Sequence, residues 1–156
     1  MNYPEIRRPD GYPLVMSALR QAPSLAQNHP KEDEEHARLV QHIDLACALP
    51  KWGISAPNWL HPPMGEFRRK ATARRLHKMG ARSGPSDFLF LRGFDLDGRR
   101  FSGLVIELKR RQPAPWKLAD TQRAFVEHAR DAGFIAEVCH GWVESKALFD
   151  LCYLAR

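Results

Sequence analysis

Cysteine is scarce in this chain. Cys47, Cys139 and Cys152 stand far apart among apolar neighbours, which excludes a disulfide scaffold and a zinc cluster and leaves buried free thiols. No apolar run approaches the ~20 residues that a membrane helix needs. Met1 to Asp10 place no apolar segment behind their arginines, so no signal peptide is read there, and a cytoplasmic protein without membrane contact is expected. Internal repeats are missing as well. With 44% hydrophobic and 27% charged residues, the chain does not have the composition of a disordered segment, and its 156 residues suffice for about one domain.

Acidic residues are in deficit, and the deficit is local. The whole net charge of +6 falls between Glu66 and Arg82, where Arg68, Arg69, Lys70, Arg74, Arg75, Lys78 and Arg82 face a single acid, and the rest of the chain is neutral. Spacings of three and four put these cations around one helix over residues 65–79, whose apolar contacts are few. Such a helix suits a polyanion, most simply nucleic acid.

Five of the twelve prolines lie in residues 1–30, which read as an arm without periodic structure. The folded domain is expected over 31–156. The run Glu32-Asp33-Glu34-Glu35 opens a helix, because carboxylates favour the positive end of a helix dipole, and Leu39, Val40, Ile43, Ala46 and Cys47 form its apolar stripe up to a stop at Pro50. A proline-rich loop with Trp52 and Trp59 leads to the basic helix. These tryptophans suit core or dimer contacts better than base stacking.

The apolar period then changes. Residues 87–92 and 103–109 are strand-like runs and read as one hairpin with its turn near Asp97-Gly98. Residues 118–132 form a helix stopped by Gly133, residues 134–139 a third strand, and residues 143–155 a last helix. The expected class is α/β, a small mixed β-sheet flanked by helices.

Alternation along Leu104-Val105-Ile106-Glu107-Leu108-Lys109 sends Glu107 and Lys109 to one face of the strand, opposite Ile106 and Leu108. Pairing of the two strand runs brings Asp87 to the same end. Two carboxylates and a lysine suit metal-dependent phosphodiester hydrolysis. The acids bind Mg²⁺ or Mn²⁺, with the Leu108 backbone carbonyl as a further oxygen, and the lysine positions or deprotonates a water. A third acid can come from the acidic helix start, where helix arithmetic does not separate Glu32 from Glu35. Gln122, the one polar side chain in its helix stripe, can reach Lys109 or a water at the site.

Gly80-Ala81-Arg82-Ser83-Gly84-Pro85-Ser86-Asp87-Phe88, the Gly103 to Arg110 strand, Gln122 and the segment 133–142 together resemble the VRR-NUC nucleases of the PD-(D/E)XK superfamily. The resemblance spans Glu32 to the C-terminus. It implies a restriction-endonuclease-like core, Asp87 and Glu107 as metal ligands beside the Leu108 carbonyl, Lys109 as the catalytic lysine and a place for Gln122 at the site. It favours Glu35 over Glu32 as the helix-borne acid. Stand-alone members, typical of phages and bacteria, resemble Holliday-junction resolvases, which implies a homodimer cutting branched DNA in a bacterial or phage-infected cell. A binding module with a degenerate site and a sequence-specific restriction-type nuclease are the alternatives. Three positions depart from the family pattern: Pro63-Met64-Gly65 replaces Pro-Asn-Gly, Ser86 replaces an apolar residue, and Ala119 replaces a helix-capping serine, so a loosely defined start is expected for the Gln122 helix.

Overall fold

The first of the described helices, α1 (Glu32–Cys47), has four acidic residues in its first turn and buries Glu35, Leu39, Ile43 and Ala46. In the computed structural model, which describes residues 30–62, 70–79, 84–111 and 117–154, two short 3-10 turns at Pro50–Trp52 and Ala56–Asn58 follow it. The proline-rich arm, the Pro63-Met64-Gly65 turn, Arg68, Arg69 and Arg82 lie outside the described residues. Lys70 opens the described part of the basic helix α2 (Lys70–Lys78).

A mixed sheet carries the rest. Its order is β1 (Trp59–Leu60), β2 (Phe88–Phe90), β5 (Leu104–Lys109), β6 (Ile135–His140), with the first three antiparallel to their neighbours and β5 parallel to β6. A parallel pair needs a crossover. Helix α3 (Asp120–Asp131) supplies it, and α4 (Trp142–Tyr153) closes the described chain.

The expected single hairpin resolves into two pairings. Strands β2 and β5 pair as anticipated, but a separate ribbon of β3 (Phe94–Leu96) and β4 (Arg99–Phe101) is inserted between them. The Asp97-Gly98 turn belongs to that ribbon. Both residues have positive φ, +49° and +74°, as a two-residue turn matched to strand twist demands. Strand β1 falls in what reads from sequence as loop, because two residues are too few to show a period.

All six residues of β5 are buried, since the strand is covered on both faces. Leu104, Ile106 and Leu108 join Leu39, Ile43, Leu148 and Phe149 in the main core, which places α1 and α4 on that face. Val105 packs with Val126 and Ala136 on the opposite face, under α3. Alternation therefore aims Glu107 and Lys109 toward the α3 side. Trp52 and Trp59 pack partly buried against the main core, in keeping with a core role. Cys139 and Cys152 are buried free thiols, pushed upward in pKa by that burial, whereas Cys47 is only half-buried. Among the described residues no helix is long and apolar enough to cross a membrane.

Candidate active site

Phe88 pairs with Ile106, so continuing the register by one residue sets Asp87 opposite Glu107 at the end of the paired strands. The chain reaches Asp87 through Gly84, whose φ of +107° and tight approach to the Thr121 carbonyl, 2.7 Å from where a Cβ would stand, admit no side chain without strain. That contact holds the Asp87 approach against the start of α3. Asp87 Oδ2 accepts the Leu108 backbone N–H at 2.8 Å, which fixes its carboxylate on the β5 end.

Glu107 is fully buried at 0% exposure, and Lys109 is 7% exposed. Lys109 Nζ lies 2.6 Å from Glu107 Oε1, and Gln122 Nε2 donates to the same oxygen. The other oxygen, Oε2, is buried without a hydrogen-bond partner. Burial first, and the Asp87 charge second, raise the Glu107 carboxyl to about 7, against the opposing pull of Lys109. The Ser86 hydroxyl, also fully buried, opposes the shift weakly without meeting hydrogen-bond geometry. An unpaired buried carboxylate oxygen is costly. A hard cation is the natural counter-charge for two such acids, and the oxygen donors here fit Mg²⁺ or Mn²⁺.

Gln122 spans two tasks. Its Oε1 accepts the Ala119 N–H at 3.1 Å, capping α3 from inside the helix, while its Nε2 faces Glu107. The loose helix start expected from the missing serine is thereby corrected: the first turn is tied by Gln122 itself. The two contacts also define which way the amide points. Gln122→Ala should lower turnover about 10- to 100-fold by freeing Glu107, and cost about 1 kcal/mol of stability through the lost cap. Gln122→Glu keeps the cap acceptor but sets a carboxylate against Glu107, so it should lose turnover with the helix start retained. Steady-state kinetics and thermal unfolding of the two variants separate these effects.

The acidic residues at the start of α1 take different positions. Glu35, only 1% exposed, turns to α4, where its Oε2 accepts the Trp142 N–H at 2.7 Å. It joins two helices through that oxygen, and its Oε1 is buried without a hydrogen-bond partner. Among the described residues no three His, Cys, Asp or Glu side chains form a ready-made metal cluster. Glu32 is half-buried and acts electrostatically on His36. His36 is the α1 side chain that reaches the site, with Nε2 at 3.7 Å from Asp87 Oδ2. Burial holds its pKa below the ordinary histidine value, against the upward pull of Asp87, and the ring edge meets His61 at 5.2 Å and Phe88 at 5.4 Å between centroids. His61 stacks on Phe88 at 4.9 Å, and its Nδ1 donates to the Asp87 carbonyl.

Neither histidine is singled out by the sequence reading, although His36 carried a signal. It lies three, four and seven positions before Leu39, Val40 and Ile43, on the buried stripe itself. His61 has no comparable pattern around it. Of the cations expected to hold DNA, Arg74, Arg75 and Lys78 are exposed on α2.

A solved structure named "VRR_NUC domain protein" superposes with a TM-score of 0.59 at 16% sequence identity, covering 82% of this chain and 91% of that one. The two chains share a fold. It is a restriction-endonuclease-like arrangement, a small mixed sheet flanked by helices, as the strand and helix order implies. No protein-family model matches the chain, and no curated protein does.

Proposed function

We propose that the chain is a metal-dependent, structure-selective DNA endonuclease of the VRR-NUC type in the PD-(D/E)XK superfamily, working as a cytoplasmic homodimer on branched DNA such as four-way junctions. The observation that carries the reading is Glu107. One of its oxygens is held by Lys109 and Gln122, the other is buried and unpartnered, and the Asp87 charge is close enough to raise its pKa. The likeness of fold to a VRR_NUC domain protein supports it.

Asp87 and Glu107 would hold Mg²⁺ or Mn²⁺, with the Leu108 carbonyl as a third oxygen. A cation there supplies positive charge against the charge that develops on the scissile phosphate. The chain's own residues do the rest. The Leu108 N–H orients the Asp87 carboxylate, Gln122 orients Glu107, and the Lys109 ammonium stands at the same carboxylate, placed to position the attacking water and to stabilise the transition state. Arg74, Arg75 and Lys78, exposed on α2, bind the phosphate backbone together with Arg68, Arg69, Lys70 and Arg82 of the same basic segment. A homodimer would present two such sites to the two strands of a junction.

The test compares linear duplex, flap and four-way junction with and without Mn²⁺. Mn²⁺-dependent nicking of the junction is expected, with binding that weakens steeply as salt rises. Salt-dependent binding without hydrolysis would instead indicate a binding module, and cutting at one sequence in linear duplex a restriction-type enzyme.

A further inference from the structure

We infer that His36 is a nitrogen ligand of the active-site cation, taking the place on α1 that a carboxylate was expected to fill. The inference rests on the nuclease reading of Asp87 and Glu107 and extends it to a residue that reading does not use.

Three observations meet at this side chain. First, Glu35 is held at α4 by one oxygen, Oε2, which accepts the Trp142 N–H, while its buried and unpartnered Oε1 lies against Gly141, and the α1 side chain that stands beside Asp87 is His36. Second, His36 Nε2 is buried and has no hydrogen-bond partner. Third, it stands 3.7 Å from Asp87 Oδ2, beyond the range of a hydrogen bond. Two donors that share one cation at ~2.1 Å each lie about 3 Å apart at a right angle and about 4 Å apart when opposed. The observed separation falls between those limits. Asp87 is the common neighbour: its Oδ2 faces His36 and accepts the Leu108 N–H, and its charge acts on Glu107, although among the described residues the three side chains do not form one ready-made cluster.

The placement has a chemical consequence. Imidazole nitrogen is a poor ligand for Mg²⁺, which holds to oxygen in near-octahedral geometry, and a better one for transition-metal ions. With His36 in the set, the site should favour Mn²⁺ over Mg²⁺. The ring is held for this purpose by its edge contacts with His61 and Phe88, and Glu32 and Asp33 on its own helix add negative charge nearby.

The experiment uses the full chain and the metal ions alone, without DNA. Mn²⁺ affinity is measured by electron paramagnetic resonance, Mg²⁺ by competition, and electron spin-echo modulation of bound Mn²⁺ reports directly on nitrogen ligands. Wild type should show ¹⁴N modulation. His36→Ala and His36→Gln, checked for native helix content, should lose that modulation and weaken Mn²⁺ at least about tenfold, with a smaller change for Mg²⁺. The same modulation persisting in both variants, or Mn²⁺ affinity unchanged in them while Asp87→Asn loses it, would overturn the assignment of His36 alone. Loss of Mn²⁺ in Glu32→Ala but not in His36→Ala would overturn it too, in favour of Glu32. A wild-type chain that binds no Mn²⁺ would overturn both the inference and the metal-dependent reading beneath it.

Discussion

Lys109→Ala should bind a four-way junction almost as well as wild type and leave it uncut, with turnover down at least about 10³-fold. Lys109 is nearly buried and its ammonium is committed to Glu107, so it contributes little to the exposed charge that attracts DNA. Arg74, Arg75 and Lys78, among the cations proposed to hold phosphate, are on α2 and unaffected. Removing one partner of a buried ion pair ordinarily costs about 3–5 kcal/mol. Here the cost should be smaller, because the Glu107 carboxyl titrates near 7 and can take up a proton once its cation is gone. The variant should therefore fold. Lys109→Arg should be inactive as well, since a planar guanidinium does not occupy the position of a compact ammonium. Binding by gel shift and cleavage by strand-nicking kinetics give the two halves of the result. Undiminished cutting by Lys109→Ala would remove the lysine from the mechanism.

Glu107→Gln should abolish cleavage to a similar degree and also change how stability responds to pH. The Glu107 carboxyl is raised in the folded protein from an ordinary 4.5 to about 7. Between those values the folded state holds a proton that the unfolded state has released. The contribution is therefore fully present below pH 4.5, lost progressively as pH rises to about 7, and level above, a span on the order of 3 kcal/mol. Metal-free wild type should lose stability over that window. Glu107→Gln, which cannot ionise, should lack this part of the slope.

A divalent cation should act in the opposite sense. It competes with the proton for ionised Glu107, so Mn²⁺ at about a hundredfold excess over its dissociation constant at a pH of about 8 should stabilise wild type by about 2.7 kcal/mol there, and the same Mn²⁺ concentration should stabilise it less at a pH of about 5. Glu107→Gln should gain much less. Urea unfolding from pH 4.5 to 8, with Mn²⁺ and with chelator, measures all four curves. An identical metal-free slope in wild type and variant would show that Glu107 is not the group responsible.

Much of this site could be read along the chain. Strand period alone put Glu107 and Lys109 on one face of β5, and antiparallel pairing through Phe88 and Ile106 brings Asp87 opposite Glu107. Gln122 stood out as a polar residue in an apolar stripe, and the structure places it on Glu107. These are relations within one strand, one hairpin pairing or one helix, where local geometry dictates which face a side chain takes. The insertion of the β3–β4 ribbon was harder to see, because strands of three residues show little period and a single turn signal does not say which pair of strands it joins.

The chain by itself determined the types of the longer elements, the strand ends at which two acids and a lysine gather, and the local excess of positive charge. Tertiary packing decided which α1 side chain stands beside Asp87. Glu35 and His36 are neighbours in sequence but about 100° apart around the helix, and both border the buried stripe. The rotation of α1 is set by Leu39 and Ile43 against the sheet and by the start of α4, where the Trp142 N–H needs an acceptor and Glu35 provides one. With Glu35 drawn to α4, His36 is left facing Asp87. That outcome depends on contacts more than a hundred residues apart along the chain, and helical periodicity carries no record of them.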